Sequence, residues 1–266
     1  MQLRIANLVD IGATLTHPVF HGDLPEVLAR AREAGVGRMV ITGTSVLESA
    51  RASGLAKEHP DVLFATVGIH PHHASECDAS TIPALRALAQ QPRVVAIGEC
   101  GLDFNRNYSP HPDQEKWFKA QVELACEIKK PLFLHSRDAK EKFVEVLKQF
   151  KTLPPAVAHC FTGTREELHS YLDLGLYVGI TGWICDERRG AHLLELVKDI
   201  PADRLLLETD SPYLTPRDMR PQPKARRNEP SFLPHILRTV ARALGKPAEQ
   251  LAEETTRNAQ AFFSLP

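Results

Sequence analysis

Short runs of apolar and often β-branched residues recur along the chain, and amphipathic stretches separate them. The apolar runs occupy residues 8–14, 38–44, 63–70, 94–104, 131–138, 156–163, 176–183 and 204–214. Their lengths and the Gly, Pro and polar residues that bound them are typical of buried strands. The stretches at residues 23–35, 113–130 and 165–175 place apolar side chains three and four positions apart, so they predict helices.

The regular alternation of strand and helix determines the predicted fold class. Strands that are apolar throughout and are joined through helices form parallel sheets covered by helices. Eight such units favour a closed barrel, and no GxGxxG follows the first strand, as a dinucleotide-binding fold would require. We therefore predict an α/β protein with a (β/α)₈ TIM barrel as a single domain over residues 1–266, with two further helices at 231–245 and 247–265.

Composition and charge exclude several classes of protein. Hydrophobic residues make up 43% of the chain and charged residues 24%, which is ordinary for a globular protein with a large core. The formal net charge of −1 offers no general attraction to a polyanion, so nucleic acid would need a local basic surface. The first residues lack a signal-peptide pattern, and no apolar run has the length of a membrane span. We expect a cytoplasmic monomer without membrane contact.

The five cysteines are an odd number and include no CxxC pair, which argues against a disulfide framework and against a zinc ribbon. We expect reduced thiols, most of them inert in the core. The five are Cys77, Cys100, Cys126, Cys160 and Cys185.

Polar side chains interrupt the apolar runs near the carboxyl ends of the predicted strands, where barrel enzymes carry their catalytic groups. Two His and two carboxylates contributed by four strands would converge there. Such a set can hold a divalent cation and leave a position open for water. The polar residues are Asp10, His70, His72, Glu99, Asp103, His135, His159, Glu208 and Asp210.

Several of these residues lie in longer motifs that carry a family resemblance. The motifs are GIHPH (68–72), AIGECGLDF (96–104), LHSRDA (134–139), HCFTGT (159–164), GITGWICDERRG (179–190), ETDSPYL (208–214) and RRNEP (226–230). In this order, over nearly the whole chain, they resemble the TatD family of metal-dependent deoxyribonucleases and most closely the TatD proteins proper. The resemblance implies an amidohydrolase-like barrel, a divalent metal, and 3′ to 5′ exonuclease action on single-stranded DNA and RNA, with a part in DNA repair.

The same resemblance implies roles for individual residues. Glu99, His135 and His159 resemble the metal ligands of the family, and Glu99 is also counted among its catalytic residues. Asp210 resembles the catalytic aspartate, which can contact metal and take the proton of the attacking water. The family resemblance implies Mg²⁺ for activity, whereas a His-rich donor set also suits Mn²⁺ or Zn²⁺.

The first strand departs from the family pattern. Most relatives carry D-x-H-x-H there, with two metal-binding His, whereas this chain has Asp10, Gly12 and Thr14. TatD proteins proper also lack both His, so the resemblance stands. We therefore expect unequal metal sites if two ions bind, and Asp10 could either compensate or hold the strand end.

Substrate contacts are predicted in two places. His70 and His72 would bind the scissile phosphate or line its path, unless they form only a polar loop. Arg226 and Arg227 belong to a basic, Pro-rich segment at 215–230, where they would pair with phosphates unless the segment is a solvated surface.

Two other functions are compatible with the residues alone. The first is another metal hydrolase of the same superfamily, acting on an amide, a lactone or an aminoacyl-tRNA ester, because a ligand set does not identify the bond that is cleaved. The second is a metal-binding barrel without catalytic activity.

Overall fold

In the computed structural model, residues 7–223 and 227–266 are described, and their strands form one sheet in chain order from the first to the eighth. The strands are β1 Leu8–Ala13, β2 Val36–Ile41, β3 Leu63–Val67, β4 Val94–Asp103, β5 Leu132–Arg137, β6 Ala156–Ala158, β7 Tyr177–Ile180 and β8 Leu205–Leu207. Each lies at a predicted apolar run, so the prediction of eight strands is confirmed. β6 and β8 are only three residues long, much shorter than the runs that predicted them.

Helices follow the strands along the chain. They are α1 Leu24–Glu33, α2 Val46–Glu58, α3 Thr81–Ala89, α4 His111–Ile128, α5 Lys140–Lys148, α6 Arg165–Asp173, α7 Leu193–Leu196, α8 Leu233–Leu244 and α9 Ala248–Phe263. The start of α6 shows how the sequence sets a boundary, because Thr164 and Glu167 form a reciprocal capping box. The end of α8 is set by Gly245, which takes the left-handed conformation at φ +64°. The two helices predicted after the eighth strand are confirmed.

Pairing in the sheet is parallel, as strands joined through helices require. β4 pairs with β3 and with β5, β5 also pairs with β6, and β7 pairs with β8. A further parallel bridge joins Ala13 at the end of β1 to Ser211, which follows β8. Strand order and this bridge between the first and last strands give the topology of a (β/α)₈ barrel, so the predicted fold class is confirmed.

The internal contacts of the chain group it into two compact units. The terminal unit consists of Met1–Val40, Cys160–Thr162 and Val178–Pro266, and the central unit consists of Ile41–His159 and Gly163–Tyr177. The expectation of a single domain stays a prediction.

Each unit has its own aromatic core. In the central unit the rings of Phe118 and Phe143 stack with centroids 5.3 Å apart, and both side chains are fully buried. In the terminal unit Phe262 and Phe263 pack edge to face at 4.6 Å. Burial of each such ring stabilises the folded chain by about 1.5–3 kcal/mol.

Candidate metal centre and catalytic residues

Glu99 lies on β4, where two glycines and a bulge set the direction of the strand. The register with β5 shifts between Gly98 and Cys100. Gly98 and Gly101 have φ values of +138° and +146°, and an added Cβ would collide with the carbonyl oxygens of Phe133 and His135 respectively. Only glycine suits both positions, and bulges of this kind commonly redirect side chains at functional sites.

Three histidines of the central unit approach Glu99 from neighbouring strands. His135 lies on β5, paired with Gly101 of β4. His159 directly follows β6, where its backbone N–H donates to Leu134 O. His70 follows β3, and its backbone N–H donates to Thr44 O at 2.8 Å. Four consecutive strands therefore position the four side chains: Glu99 and His135 lie within β4 and β5, and His70 and His159 follow β3 and β6.

The three rings meet at one carboxylate oxygen. Glu99 Oε1 lies 2.8 Å from His159 Nε2, 3.0 Å from His135 Nδ1 and 3.2 Å from His70 Nε2. The two nitrogens of His135 and His159 are themselves 3.4 Å apart. The structure thus brings together three of the four predicted metal ligands, Glu99, His135 and His159, and it adds His70, which was predicted to contact substrate. Asp210, the fourth, stays a prediction.

This donor set fits a divalent cation. One carboxylate oxygen offers two lone pairs, so three imidazole nitrogens cannot all donate good hydrogen bonds to it. The donor atoms of His70, Glu99 and His135 lie within 4.8 Å of one another, close enough for a shared ion. A cation among them would take lone pairs from nitrogen and oxygen together, which relieves the crowding.

The pKa values of Glu99 and His70 agree with metal binding. For His135 burial would lower the pKa, but the nearby carboxylates of Asp103 and Glu99 raise it, so metal binding there must displace a proton. Burial alone would raise the pKa of Glu99, but the charge of His159 and the hydrogen bonds from His135 and His159 hold it well below the usual value. Burial lowers the pKa of His70 to about 4, so its ring is neutral at pH 7. An ionised carboxylate and a neutral imidazole are the forms that bind metal.

Asp103 lies on the far side of the His135 ring from Glu99. His135 Nε2 is buried, has no hydrogen-bond partner among the described residues, and lies 3.6 Å from Asp103 Oδ2. The same Asp103 oxygen contacts His72 Nε2 at 2.7 Å. Asp103 Oδ1 accepts from the backbone N–H groups of Asn105 and Arg106 at 3.0 and 2.9 Å. Asp103 is therefore held in place by the backbone and by His72, with the same oxygen facing the outer nitrogen of His135 beyond hydrogen-bond distance.

The sequence placed Asp103 at a strand end without assigning it a role. A usable signal was present, because Asp103 follows Glu99 by four positions on one strand, and even spacing places both on one face. The link between His70 and Glu99 had no comparable signal, since it depends on the bulge in β4.

Asp210 lies in the terminal unit, in a tight turn after β8. Its φ is +55°, its backbone N–H donates to Gly12 O at 2.8 Å, and its carbonyl accepts from Tyr213 N at 3.0 Å. Asn228 is fully buried, and its Nδ2 donates to Thr209 O at 2.7 Å and to Tyr213 O at 2.6 Å. Asn228 therefore fixes both sides of the turn that presents Asp210.

Asp10 also serves this turn. Its Oδ1 accepts from the backbone N–H groups of Thr209 at 2.9 Å and Gly12 at 3.3 Å, while the Thr209 hydroxyl donates to Oδ2 at 2.5 Å. Burial raises the pKa of Asp10 to about 7, although the hydrogen bonds from Thr209 act in the opposite direction. These contacts favour a structural role for Asp10 over metal binding, because they hold the end of β1 against the turn.

The predicted basic segment is only partly described. Arg226 lies outside the described residues. Arg227 is 19% exposed and donates to both oxygens of Asp23, at 2.8 and 2.7 Å. Arg217 is more exposed and lies 3.3 Å from Glu187. Arg227 is thus already engaged by a carboxylate within the terminal unit.

None of the helices in residues 7–223 and 227–266 combines the length and hydrophobicity needed to cross a bilayer.

Known proteins match this chain over almost its full length. The family model for TatD related DNase matches residues 9–264. The "3'-5' ssDNA/RNA exonuclease TatD" of Pantoea ananatis is 58% identical over 259 residues, which is 97% of this chain and 100% of that protein. The protein of the same name from Erwinia tasmaniensis is 57% identical with the same coverage.

Solved structures agree with the sequence matches. YjjV, a TatD homolog from Escherichia coli, superposes with a TM-score of 0.89 at 28% identity, over 98% of this chain and 100% of that one. A TatD family hydrolase from Entamoeba histolytica gives 0.88 at 25% identity, over 98% and 99%. The resemblance drawn from the motifs is confirmed, and the chain belongs to the TatD-related DNase family.

Proposed function

We propose that this protein is a metal-dependent nuclease that hydrolyses single-stranded DNA and RNA from the 3′ end. The observation that carries the proposal is the meeting of His70, His135 and His159 at one oxygen of Glu99, in a member of a DNase family. Relatives at 54–58% identity bear the name of an exonuclease with this polarity and these substrates, which supports the same assignment here.

The metal would be held by Glu99, His135 and His159, with His70 next to them. When bound, a divalent cation neutralises phosphate oxygens and lowers the pKa of a water molecule, which makes phosphodiester hydrolysis feasible at neutral pH. We propose Mg²⁺ as the activating ion on the strength of the family resemblance. The nitrogen-rich donor set also suits Mn²⁺ and Zn²⁺, so the resident ion is to be determined by analysis of the purified protein.

The side chains of the protein have separate tasks in this scheme. Asp210 orients the attacking water and takes its proton, as its ETDSPYL motif suggests. Asp103 is a positioning residue, since it holds His72 and faces the outer nitrogen of His135. Hydrolysis proceeds by direct attack of water, so no covalent bond forms between protein and substrate.

Substrate phosphates would be bound by His70 and His72 and by the basic segment with Arg226 and Arg227. If Arg227 stays paired with Asp23 in the complex, it should contribute less to phosphate binding than Arg226 does. A monomeric state and a role in DNA repair stay predictions.

The test is a nuclease assay on single-stranded oligonucleotides labelled at either end. Stripped protein is incubated with Mg²⁺, Mn²⁺, Zn²⁺ or EDTA, and the products are separated by length. We expect a 5′-labelled strand to shorten one nucleotide at a time and a 3′-labelled strand to release labelled mononucleotide at once. EDTA should abolish both.

The same assay separates the alternatives. Stepwise loss from the 5′ end would refute the proposed polarity. Absence of cleavage with every metal, together with turnover of an amide, lactone or aminoacyl ester, would identify a different hydrolase. Tight metal binding without any turnover would support the non-catalytic barrel. His135→Ala serves as the metal-site variant, and His73→Ala is its control, because the half-exposed His73 side chain pairs with the exposed Glu76.

A further inference from the structure

A second group of metal-binding side chains lies within the terminal unit, at Cys185, Asp218 and His235. Cys185 ends a short 3₁₀ helix, Gly182–Cys185, that follows β7. Asp218 lies in the segment after β8, and His235 lies in the first turn of α8. Sulfur, carboxylate oxygen and imidazole nitrogen from these residues all lie within 4.8 Å of one another. None of the three takes part in the proposed nuclease chemistry.

The three side chains differ in solvent exposure, from buried Cys185 to partly exposed His235 and Asp218. Cys185 is buried with 3% exposure, whereas the side chains of His235 and Asp218 are 28% and 39% exposed. His235 Nε2 contacts Asp218 Oδ1 at 2.6 Å. An ion at this position would have a buried thiolate on one side and two solvent-accessible donors on the other.

We propose that Cys185, Asp218 and His235 form a second binding site for a divalent transition-metal ion of the Zn²⁺ class. Thiolate and imidazole are the donors that such ions prefer, and they disfavour Mg²⁺ and Ca²⁺, which take oxygen ligands. Three protein ligands with one open position is a common arrangement for zinc.

The spacing is compatible with tetrahedral coordination. Ligand atoms about 2.0–2.3 Å from a tetrahedral zinc lie roughly 3.3–3.7 Å apart. The contact between His235 and Asp218 would open by about 1 Å to admit the ion, which exposed side chains can do by a small rotation. The other donor distances are at most 4.8 Å, so coordination requires them to close by about 1 Å at most.

A cavity next to the group provides access. It has a volume of about 410 Å³, and its lining includes Cys185, Asp218, Thr239 and Lys198. This space lets an ion enter from solvent and leaves room for water or a small anion as the fourth ligand. An entry path and suitable ligand types are two of the features that a genuine metal site must show.

Binding is balanced by the release of a proton. The Cys185 thiol loses its proton to solvent, and the sulfur keeps both bonding electrons, which it donates to the metal. The ion undergoes no change of oxidation state, so no oxidant or reductant is required.

The test uses Co²⁺ as an absorbing substitute for Zn²⁺ in the full-length protein. Coordination by a thiolate produces a charge-transfer band in the near ultraviolet. The titration is made in the His135→Ala background, which removes the predicted metal centre at Glu99. We expect a band that saturates at one equivalent of Co²⁺ and disappears when Zn²⁺ is added.

Variants assign the band to the three residues. Cys185→Ser should abolish it, and His235→Ala should weaken Co²⁺ binding more than about 100-fold, since even residues that only orient ligands contribute about 10- to 100-fold. Cys77→Ser is the matched control and should leave the band unchanged. His235→Ala changes a half-buried side chain and keeps the test valid if Cys185→Ser fails to fold. Absence of the band in the His135→Ala background, or its persistence in both Cys185→Ser and His235→Ala, would overturn the proposal.

Discussion

The surroundings of Glu99 and of Asp210 differ in how a carboxylate is prepared for chemistry. Glu99 is surrounded by titratable rings, and three imidazole nitrogens lie within 3.2 Å of one of its oxygens. Asp210 is presented by a turn whose backbone is fixed by buried side chains, chiefly Asn228 and Asp10. The histidines around Glu99 keep its carboxylate ionised and place further donor atoms beside it. The turn at Asp210 instead fixes the backbone position from which its side chain extends.

This difference has consequences for mutation. The histidines around Glu99 lie on or just after strands, and the barrel core does not depend on their charge. The turn at Asp210 depends on hydrogen bonds that are also part of the folded core. Substitutions around Glu99 should therefore lower activity and leave stability unchanged. Substitutions in the turn at Asp210 should lower both activity and stability.

The largest effect is expected for His135→Ala. Loss of a ligand should lower nuclease activity by more than about 100-fold, because removal of residues that only support ligands already costs about 10- to 100-fold. The free energy of unfolding should stay close to that of the unchanged protein. Rates with saturating metal and urea unfolding measure the two quantities. Full activity in a folded His135→Ala protein would remove His135 from the metal centre.

Asn228→Ala should affect stability and catalysis together. It leaves the buried carbonyls of Thr209 and Tyr213 without their donor, at a cost of about 1–3 kcal/mol. Because the turn at Asp210 loosens, kcat should fall more than KM rises. Asn258→Ala is the matched control, since Asn258 Nδ2 also donates to two backbone carbonyls, those of Ala202 and Leu205. The control should lose stability but keep kcat, and an equal loss of kcat in both variants would contradict the role of Asn228.

The buried Asp10 should give the protein a distinctive pH dependence. Burial raises its pKa in the folded state to about 7, above the value in the unfolded chain, so the folded protein binds this proton more tightly. The resulting stability is fully present below about pH 4 and is lost as the pH rises through about 7. Asp10→Asn, which mimics the protonated acid, should flatten the dependence of the unfolding free energy on pH in this window.

Glu229, in the same unit, is a control whose pKa is shifted in the opposite direction from that of Asp10. Burial would raise its pKa, but the hydrogen bonds and charge of Arg30 lower it below the usual value. The stability that it contributes is present above the pKa of the unfolded chain and is lost as the pH falls through the folded value. Glu229→Gln should therefore change the acid limb and leave the slope near pH 6 to 7 intact. A slope there that survives Asp10→Asn would contradict the assignment to Asp10.

The smallest effect is expected for Arg227→Ala on substrate binding. Asp23 already engages the Arg227 guanidinium. Removing the arginine should therefore lower stability, and it should reduce the salt dependence of oligonucleotide binding by less than one released counterion. The measurement is the slope of log affinity against log salt for an uncleavable strand. A decrease of about one full unit would show instead that Arg227 contacts phosphate directly.

The sequence predicted the strands well because apolar runs between amphipathic stretches are local signals. It overestimated the lengths of β6 and β8. The predicted runs continue into His159 and Glu208, which are polar loop residues that follow the strands. Glu99, His135 and His159 could be named from their motifs and strand-end positions.

Other features depend on contacts that no local pattern records. The approach of His70 to Glu99 requires the bulge and the glycine conformations of β4. The pairing of Arg227 with Asp23 joins residues 204 positions apart, so the charge of the basic segment alone could not reveal it. Pairing between residues so far apart in the chain leaves no local pattern in the sequence.

The central claim is that Glu99, His135 and His159 hold the catalytic metal while Asp210 acts on the water. Titration with Mn²⁺, followed by the paramagnetic resonance of the free ion, tests it directly in the unchanged protein, His135→Ala and Asp210→Asn. We predict one tight ion and a weaker second one in the unchanged protein, because Gly12 and Thr14 replace the family's usual His pair. The tight ion should be lost in His135→Ala and retained in an inactive Asp210→Asn. Two equally tight ions, or a tight ion that persists in His135→Ala, would contradict the account.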